Sequence, residues 1–260
     1  MIEGAELHRR LLSDKLFSME VWGGATFDVS YRFLFEDPWE RLRRIRAALP
    51  DVCLQMLFRG SNAVGYRNYP DNLIVKFVNL AAKNGIDIFR IFDCFNSIDQ
   101  MRVAIKAVRS VNRVAEVCIC FSGDFCSDEE KIYTLKYYKE TAKAAADAGA
   151  HMLAIKDMAG LLKPRHAAPL IRAIRDVTDL PIHFHTHCTS SASLASALAM
   201  ANAGCEIVDT AISSMADCTC VFLLFLSLSH KFLIQQQQQL YRHIPTEYER
   251  TTSLTGRWTT

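Results

Sequence analysis

Three stretches of the chain repeat one phrase: an Ala-rich amphipathic run, a glycine, then a short apolar run ending on a polar residue. The phrase appears as Leu80 to Gly85 followed by Ile86 to Asp93, and as Ala144 to Gly149 followed by Ala150 to Asp157. A third copy runs from Ala199 to Gly204 and on to Asp209. Apolar residues every three to four positions predict a helix, a glycine just past them predicts its end, and the apolar run predicts a buried strand. Helix, glycine, buried strand in repetition is the pattern of β/α units around a parallel sheet. Four more runs bring the expected strands to 17–22, 53–58, 86–92, 114–121, 151–156, 181–187 and 205–211. That is one short of a closed TIM-type (β/α) barrel. The expected fold is therefore α/β, a TIM-type barrel with its first strand missing. A doubly wound sheet would alternate similarly but carries a Gly-rich phosphate loop after its first strand, and Trp22-Gly-Gly-Ala25 lacks the third glycine of that fingerprint.

The grammar stops after Met215, which divides the chain into a lead-in (1–13), a partial barrel (14–215) and an atypical low-complexity tail (216–260). The tail holds an apolar Leu/Phe run, the glutamines from Gln235 to Gln239 and a polar end. Two readings of it stay open: no packed structure, or a terminal helix over 221–243. Composition narrows the rest. A chain of 260 residues, half of them apolar, suits one barrel. A formal charge of +2 with mixed signs gives no basis for nucleic-acid or anionic-membrane partners. No apolar run reaches membrane-spanning length. The nine cysteines are scattered, and no C-x-x-C occurs. Cys118/Cys120 and Cys218/Cys220 show C-x-C spacing, a weak zinc signal, and core packing is the expectation for the first pair. A reducing compartment is expected, cytoplasmic, with the mitochondrion also open since no targeting segment is visible.

The chemistry concentrates in His183-Phe-His-Thr-His187. Side chains alternate along a strand, so all three histidines leave one face, an arrangement that suits a divalent metal. Lys156 ends another apolar strand. A lysine that has lost hydration there keeps a larger neutral fraction, and a neutral amine can add CO2 to form a carbamate, an oxygen donor beside histidines. Pairing of Lys156 with Asp157 is the alternative, against which stands the opposite facing of adjacent strand residues. Other polar residues at the carboxyl ends of strands, where barrel enzymes place their chemistry, are Asp28, Arg59, Asp93 and Asp209.

Five segments in order, Glu20 to Asp28, Gln55 to Gly60, Gly65 to Asn72, Ile155 to Pro164 and His183 to His187, resemble the carboxyltransferase domain of pyruvate carboxylases. Oxaloacetate decarboxylase and transcarboxylase subunits share much of the pattern. The likeness runs from about residue 14 to 215 and is incomplete at both ends. It implies a ligase domain that moves CO2 from carboxybiotin to pyruvate, giving oxaloacetate through a metal-stabilised enolate. A divalent metal (Zn or Mn) would be held by carboxylated Lys156 with His185 and His187. Arg59 would bind the pyruvate carboxylate and act in catalysis with Lys156, while Asp28 and Tyr66 would line the same pocket. Biotin would arrive on a separate carrier domain, with a biotin carboxylase domain as further partner, in an enzyme that is homo-oligomeric when intact.

The departures count too. The family's Asp-Thr-Thr-like first strand, which carries an aspartate metal ligand, and its catalytic threonine have no counterpart here. Cys188 and Ser191 stand where the family reads Asp and Gly. Two alternatives follow: an oxaloacetate decarboxylase subunit, or a non-catalytic truncated remnant.

Overall fold

The computed structural model describes residues 4–6, 9, 16–211 and 216. Apart from residues 4–6, 9 and 216, the lead-in and the tail, with Cys218, Cys220 and the 221–243 segment, lie outside the described residues. All seven expected strands form: β1 Met19–Gly23, β2 Leu54–Phe58, β3 Ile88–Ile91, β4 Val114–Cys120, β5 Met152–Asp157, β6 Ile182–Thr186 and β7 Ile207–Val208. They are hydrogen-bonded in chain order from β1 to β7. Between them run the helices α1 Gly24–Arg32 and α2 Pro38–Ala48, both between β1 and β2, and then, one after each of β2 to β6, α3 Asp71–Lys83, α4 Ile98–Ser110, α5 Leu135–Asp147, α6 Pro164–Arg175 and α7 Ser193–Asn202. This is the α/β alternation of a TIM-type fold. Among the described residues no helix is long and apolar enough to cross a membrane.

The described residues divide into two compact units, the first made of those up to Asp93 together with Asp99–Glu116, the second of Cys94–Ile98 and those from Val117 onward. In the first, β1, β2 and β3 are parallel, with Gln55 opposite both Glu20 and Ile88. Trp22 is buried in an aromatic cluster with Phe27, Trp39 and Phe77, and its indole N–H donates to the Pro38 carbonyl at 2.9 Å. A register irregularity between Glu20 and Trp22 breaks the strict alternation of β1. The two glycines that looked like a partial phosphate loop have a packing role. Gly23 sits at φ 84°, and a Cβ there would lie 2.4 Å from the Leu57 carbonyl oxygen. Inside this unit Arg90 is buried between Glu116 and Glu20, at 2.5 and 3.0 Å, and Gln55 donates to the same Glu20 oxygen at 3.0 Å. Each interior charge thus has a partner, the condition for burying it.

In the second unit β5, β6 and β7 are parallel. Thr134 caps α5, its hydroxyl accepting from the Tyr137 N–H at 3.3 Å. Asn96, at φ 56°, is pinned by the Cys120 N–H, the Cys120 carbonyl and the Tyr137 hydroxyl. The glycines closing the repeated phrase, Gly85, Gly149 and Gly204, all have positive φ, the reason a side chain is absent there. Cys118, Cys120 and Cys205 are buried, and burial pushes the Cys205 thiol well above its ordinary range, so it packs and does not react.

Candidate functional site

The parallel register of the second unit decides which side chains share a face. Lys156 on β5 is opposite His185 on β6, and His183 and Phe184 are opposite Ile207 and Val208 on β7. One step further along, the Asp209 N–H donates to the Phe184 carbonyl at 2.9 Å, which brings Asp209 level with His185. Lys156, His185 and Asp209 thus form a row across three strands, with Lys156 only 7% exposed.

The Asp209 carboxylate is shared. One oxygen lies 2.8 Å from His183 Nε2 and the other 2.6 Å from His185 Nδ1. An ionised carboxylate only accepts, so both imidazole nitrogens facing it carry the proton. In the neutral ring that makes Nε2 the acceptor nitrogen of His185, and it lies 3.2 Å from Nε2 of His187. Two nitrogens each about 2.1 Å from one ion are about 3.0 Å apart at a right angle and about 3.4 Å apart at a tetrahedral angle. The observed separation falls between these limits, so the donor pair fits a divalent ion, with Asp209 orienting the ring from behind as outer carboxylates do for metal-bound histidines. His183 lies one turn of the pleat deeper, buried and engaged by Asp209.

Asp157 faces away from this row and stitches the opposite side. Its carboxylate accepts from the Leu161 N–H at 2.8 Å, the Leu162 N–H at 3.0 Å and the Thr186 hydroxyl at 2.9 Å. Its carbonyl accepts from the His187 N–H at 3.1 Å. The ends of β5 and β6, which carry Lys156 and the two histidines, are thereby tied together.

In the first unit Arg59 follows β2. Its Nη1 donates to the Val64 and Gly65 carbonyls, both at 3.2 Å, and its guanidinium lies over the Tyr66 ring at 4.9 Å. The Tyr66 hydroxyl donates to Asp28 Oδ2 at 3.1 Å, and Arg32 holds Asp28 Oδ1 at 3.1 Å. A cavity of about 360 Å³ is lined by Asp28, Tyr66, Tyr31, Arg32, Arg67 and Tyr69 among others. A guanidinium fixed at one nitrogen by carbonyls keeps the rest of its fork for a planar carboxylate.

One further group has ligand atoms within 4.8 Å of one another: Asp124, Cys126 and His166, in the second unit. Its hydrogen bonds argue against a cation. His166 Nδ1 accepts from the Lys163 N–H at 2.9 Å, so Nε2 bears the proton and donates to Asp124 Oδ1 at 2.7 Å. Lys163 and Arg165 also pair with Asp124, placing two positive charges where an ion would need to be. The group is better described as an anchor for the first turn of α6.

Sequence reasoning singled out Lys156, His185, His187, Arg59, Asp28 and Tyr66. The structure brings Lys156 and His185 together on adjacent strands of the second unit, with His187 directly after β6, and joins the last three in one contact chain of the first. The sequence alone does not pair Asp209 with two histidines or Arg32 with Asp28. The signals were present: Asp209 closes the third repeated phrase, and Arg32 is four residues after Asp28 on a helix.

A TIM-type α/β fold with histidines and a lysine at its strand ends defines a class, and the HMGL-like family profile matches residues 75–219. The chain belongs to the HMGL-like family. Within it, the chain is 50% identical over 245 residues to pyruvate carboxylase of Staphylococcus aureus, covering 94% of this chain and 21% of that protein. It is 50% identical over 206 residues to human mitochondrial pyruvate carboxylase, covering 79% of this chain and 18% of the relative. The carboxyl transferase domain of Rhizobium etli pyruvate carboxylase, determined with pyruvate, superposes with a TM-score of 0.85 at 45% identity, covering 95% of this chain and 42% of that one. The chain therefore spans about a fifth of the length of the curated relatives it matches.

Proposed function

We propose that this chain supplies the carboxyltransferase chemistry of a biotin-dependent pyruvate carboxylase, transferring CO2 from carboxybiotin to pyruvate to form oxaloacetate. The observation that carries the reading is the row Lys156, His185, Asp209 with the two Nε2 atoms 3.2 Å apart. In this account Lys156, carboxylated on Nζ, joins His185 and His187 in holding a divalent metal, zinc or manganese. When bound, that ion supplies the positive charge that stabilises an enolate. Arg59 binds the carboxylate of pyruvate, and its fixed Nη1 sets the orientation before substrate arrives, which is the essence of preorganised electrostatic catalysis. Asp28 and Tyr66 line the substrate pocket. Carboxybiotin is delivered by a carrier domain and made by a biotin carboxylase domain, and the complete enzyme is a homo-oligomer in the cytoplasm or the mitochondrion. The named relatives are pyruvate carboxylases, which supports this reading over an oxaloacetate decarboxylase subunit.

Pyruvate binding to the metal-supplemented chain, followed by calorimetry, tests the proposal. Arg59→Ala should weaken binding by at least about tenfold, as loss of a charged bidentate contact does, and Arg59→Lys should recover part of it. Equal affinity in wild type and Arg59→Ala, or no binding to either, would instead support a non-catalytic remnant.

A further inference from the structure

Asp28 is an acid with few choices. Only 8% of the residue is exposed, so water cannot satisfy both carboxylate oxygens. Arg32 takes Oδ1 at 3.1 Å and the Tyr66 hydroxyl takes Oδ2 at 3.1 Å. The groups lining the same cavity that could compete for it are Tyr31 on its own helix and Arg67 and Tyr69 on the loop after β2. Arg67 is instead turned onto the Tyr69 ring at 5.8 Å. Arg32 is consequently the cation that orients Asp28, although its own side chain is half exposed.

The contacts continue beyond the carboxylate. Tyr66 is 67% exposed, so packing alone does not hold its ring in place. What fixes it is the hydroxyl on Asp28 at one end and the Arg59 guanidinium over its face at the other. A cation over an aromatic face is attracted by the ring quadrupole, so displacement of the ring removes one of the guanidinium's two restraints and leaves it held only at Nη1, by the Val64 and Gly65 carbonyls.

We propose that Arg32 is a positioning residue, whose guanidinium orients the Asp28 carboxylate, and through Asp28 the Tyr66 ring, so that Arg59 is held in its carboxylate-binding pose. The inference rests on the proposed function for the role of Arg59. Arg32 acts on Arg59 through three successive contacts, from the last residue of α1. A surface i, i+4 ion pair alone is worth only a few tenths of a kcal/mol. Its consequence here comes from the aromatic ring that depends on it.

The test reads the Arg59 side chain directly. In the full chain, Arg59 side-chain NMR signals, assigned by comparison with Arg59→Lys, should be shifted by the ring current of Tyr66. Arg32→Ala and Asp28→Asn should each move them most of the way to their unshifted positions, while Arg32→Lys should preserve most of the shift. Arg32→Ala signals unchanged from wild type would overturn the proposal and leave Arg32 as an ordinary surface ion pair. Should Arg32→Ala lose its dispersed spectrum, Arg32→Gln provides the same comparison with the same two outcomes. A pyruvate titration of these variants should then show affinity falling several-fold in step with the lost shift. If pyruvate does not bind even wild type, the proposed function fails while the NMR comparison still decides the role of Arg32.

Discussion

His185 is engaged at both ring nitrogens, by Asp209 at Nδ1 and by His187 at Nε2. Its orientation therefore depends on a carboxylate that never needs to touch an ion. Asp209→Ala removes the acceptor that fixes the Nδ1–H tautomer, and zinc affinity measured by dye competition should fall about 10- to 100-fold. Unchanged affinity would show that Asp209 does not orient the ring. Ser191 supplies a second residue-scale prediction. It adopts φ 58° and ψ 9°, a left-handed conformation that a Cβ disfavours, at the position where the family carries glycine. Ser191→Gly should stabilise the chain by about 1 kcal/mol in urea unfolding. A destabilised variant would mean that the serine hydroxyl offsets the backbone cost.

At the scale of elements, the loop after β5 and the start of α6 depend on two aspartates. Asp157→Ala leaves the Leu161 and Leu162 N–H groups and the Thr186 hydroxyl without their acceptor, and should cost roughly 3 kcal/mol by chemical denaturation. A loss under 1 kcal/mol would show that water replaces it (roughly one ordinary hydrogen bond). Asp124 makes a pH prediction. Its carboxyl is held well below the ordinary range, chiefly by the His166 N–H, with Lys163 and Arg165 adding and burial opposing. A folded pKa below the unfolded one means the stabilisation is complete above the unfolded value, near 4, and is lost as pH falls from there toward the folded pKa. Asp124→Asn should therefore flatten the acid limb of the stability profile below about pH 4 and change its shape little near neutrality. An acid limb as steep as in wild type would assign it to other carboxylates.

For the whole molecule, much was legible in the pattern of apolar positions. The three Ala-rich phrases ending in Gly85, Gly149 and Gly204 marked helix ends because only a glycine meets positive φ there without strain, and the apolar runs after them became β3, β5 and β7. Strand alternation put His183, His185 and His187 on one face. It could not reveal that Asp209 reaches two of them, because that depends on how β7 registers against β6, and register is a tertiary property. In the Trp22-Gly-Gly-Ala25 segment the sequence shows only a missing third glycine, whereas the glycines serve the close approach of Gly23 to Leu57, invisible without the neighbouring strand. Arg32 escaped notice because a charged residue at a helix end is usually solvated, and only the burial of Asp28 makes it matter.

The central claim, that Lys156 and the paired histidines hold a divalent metal, is tested most directly by the metal content of purified chain. Wild type, Lys156→Ala and His185→Ala would be equilibrated with zinc or manganese, dialysed and measured by atomic emission, with circular dichroism confirming folding. Wild type should retain metal and both variants should lose it. Equal retention in folded Lys156→Ala would contradict the account and remove the lysine from the site.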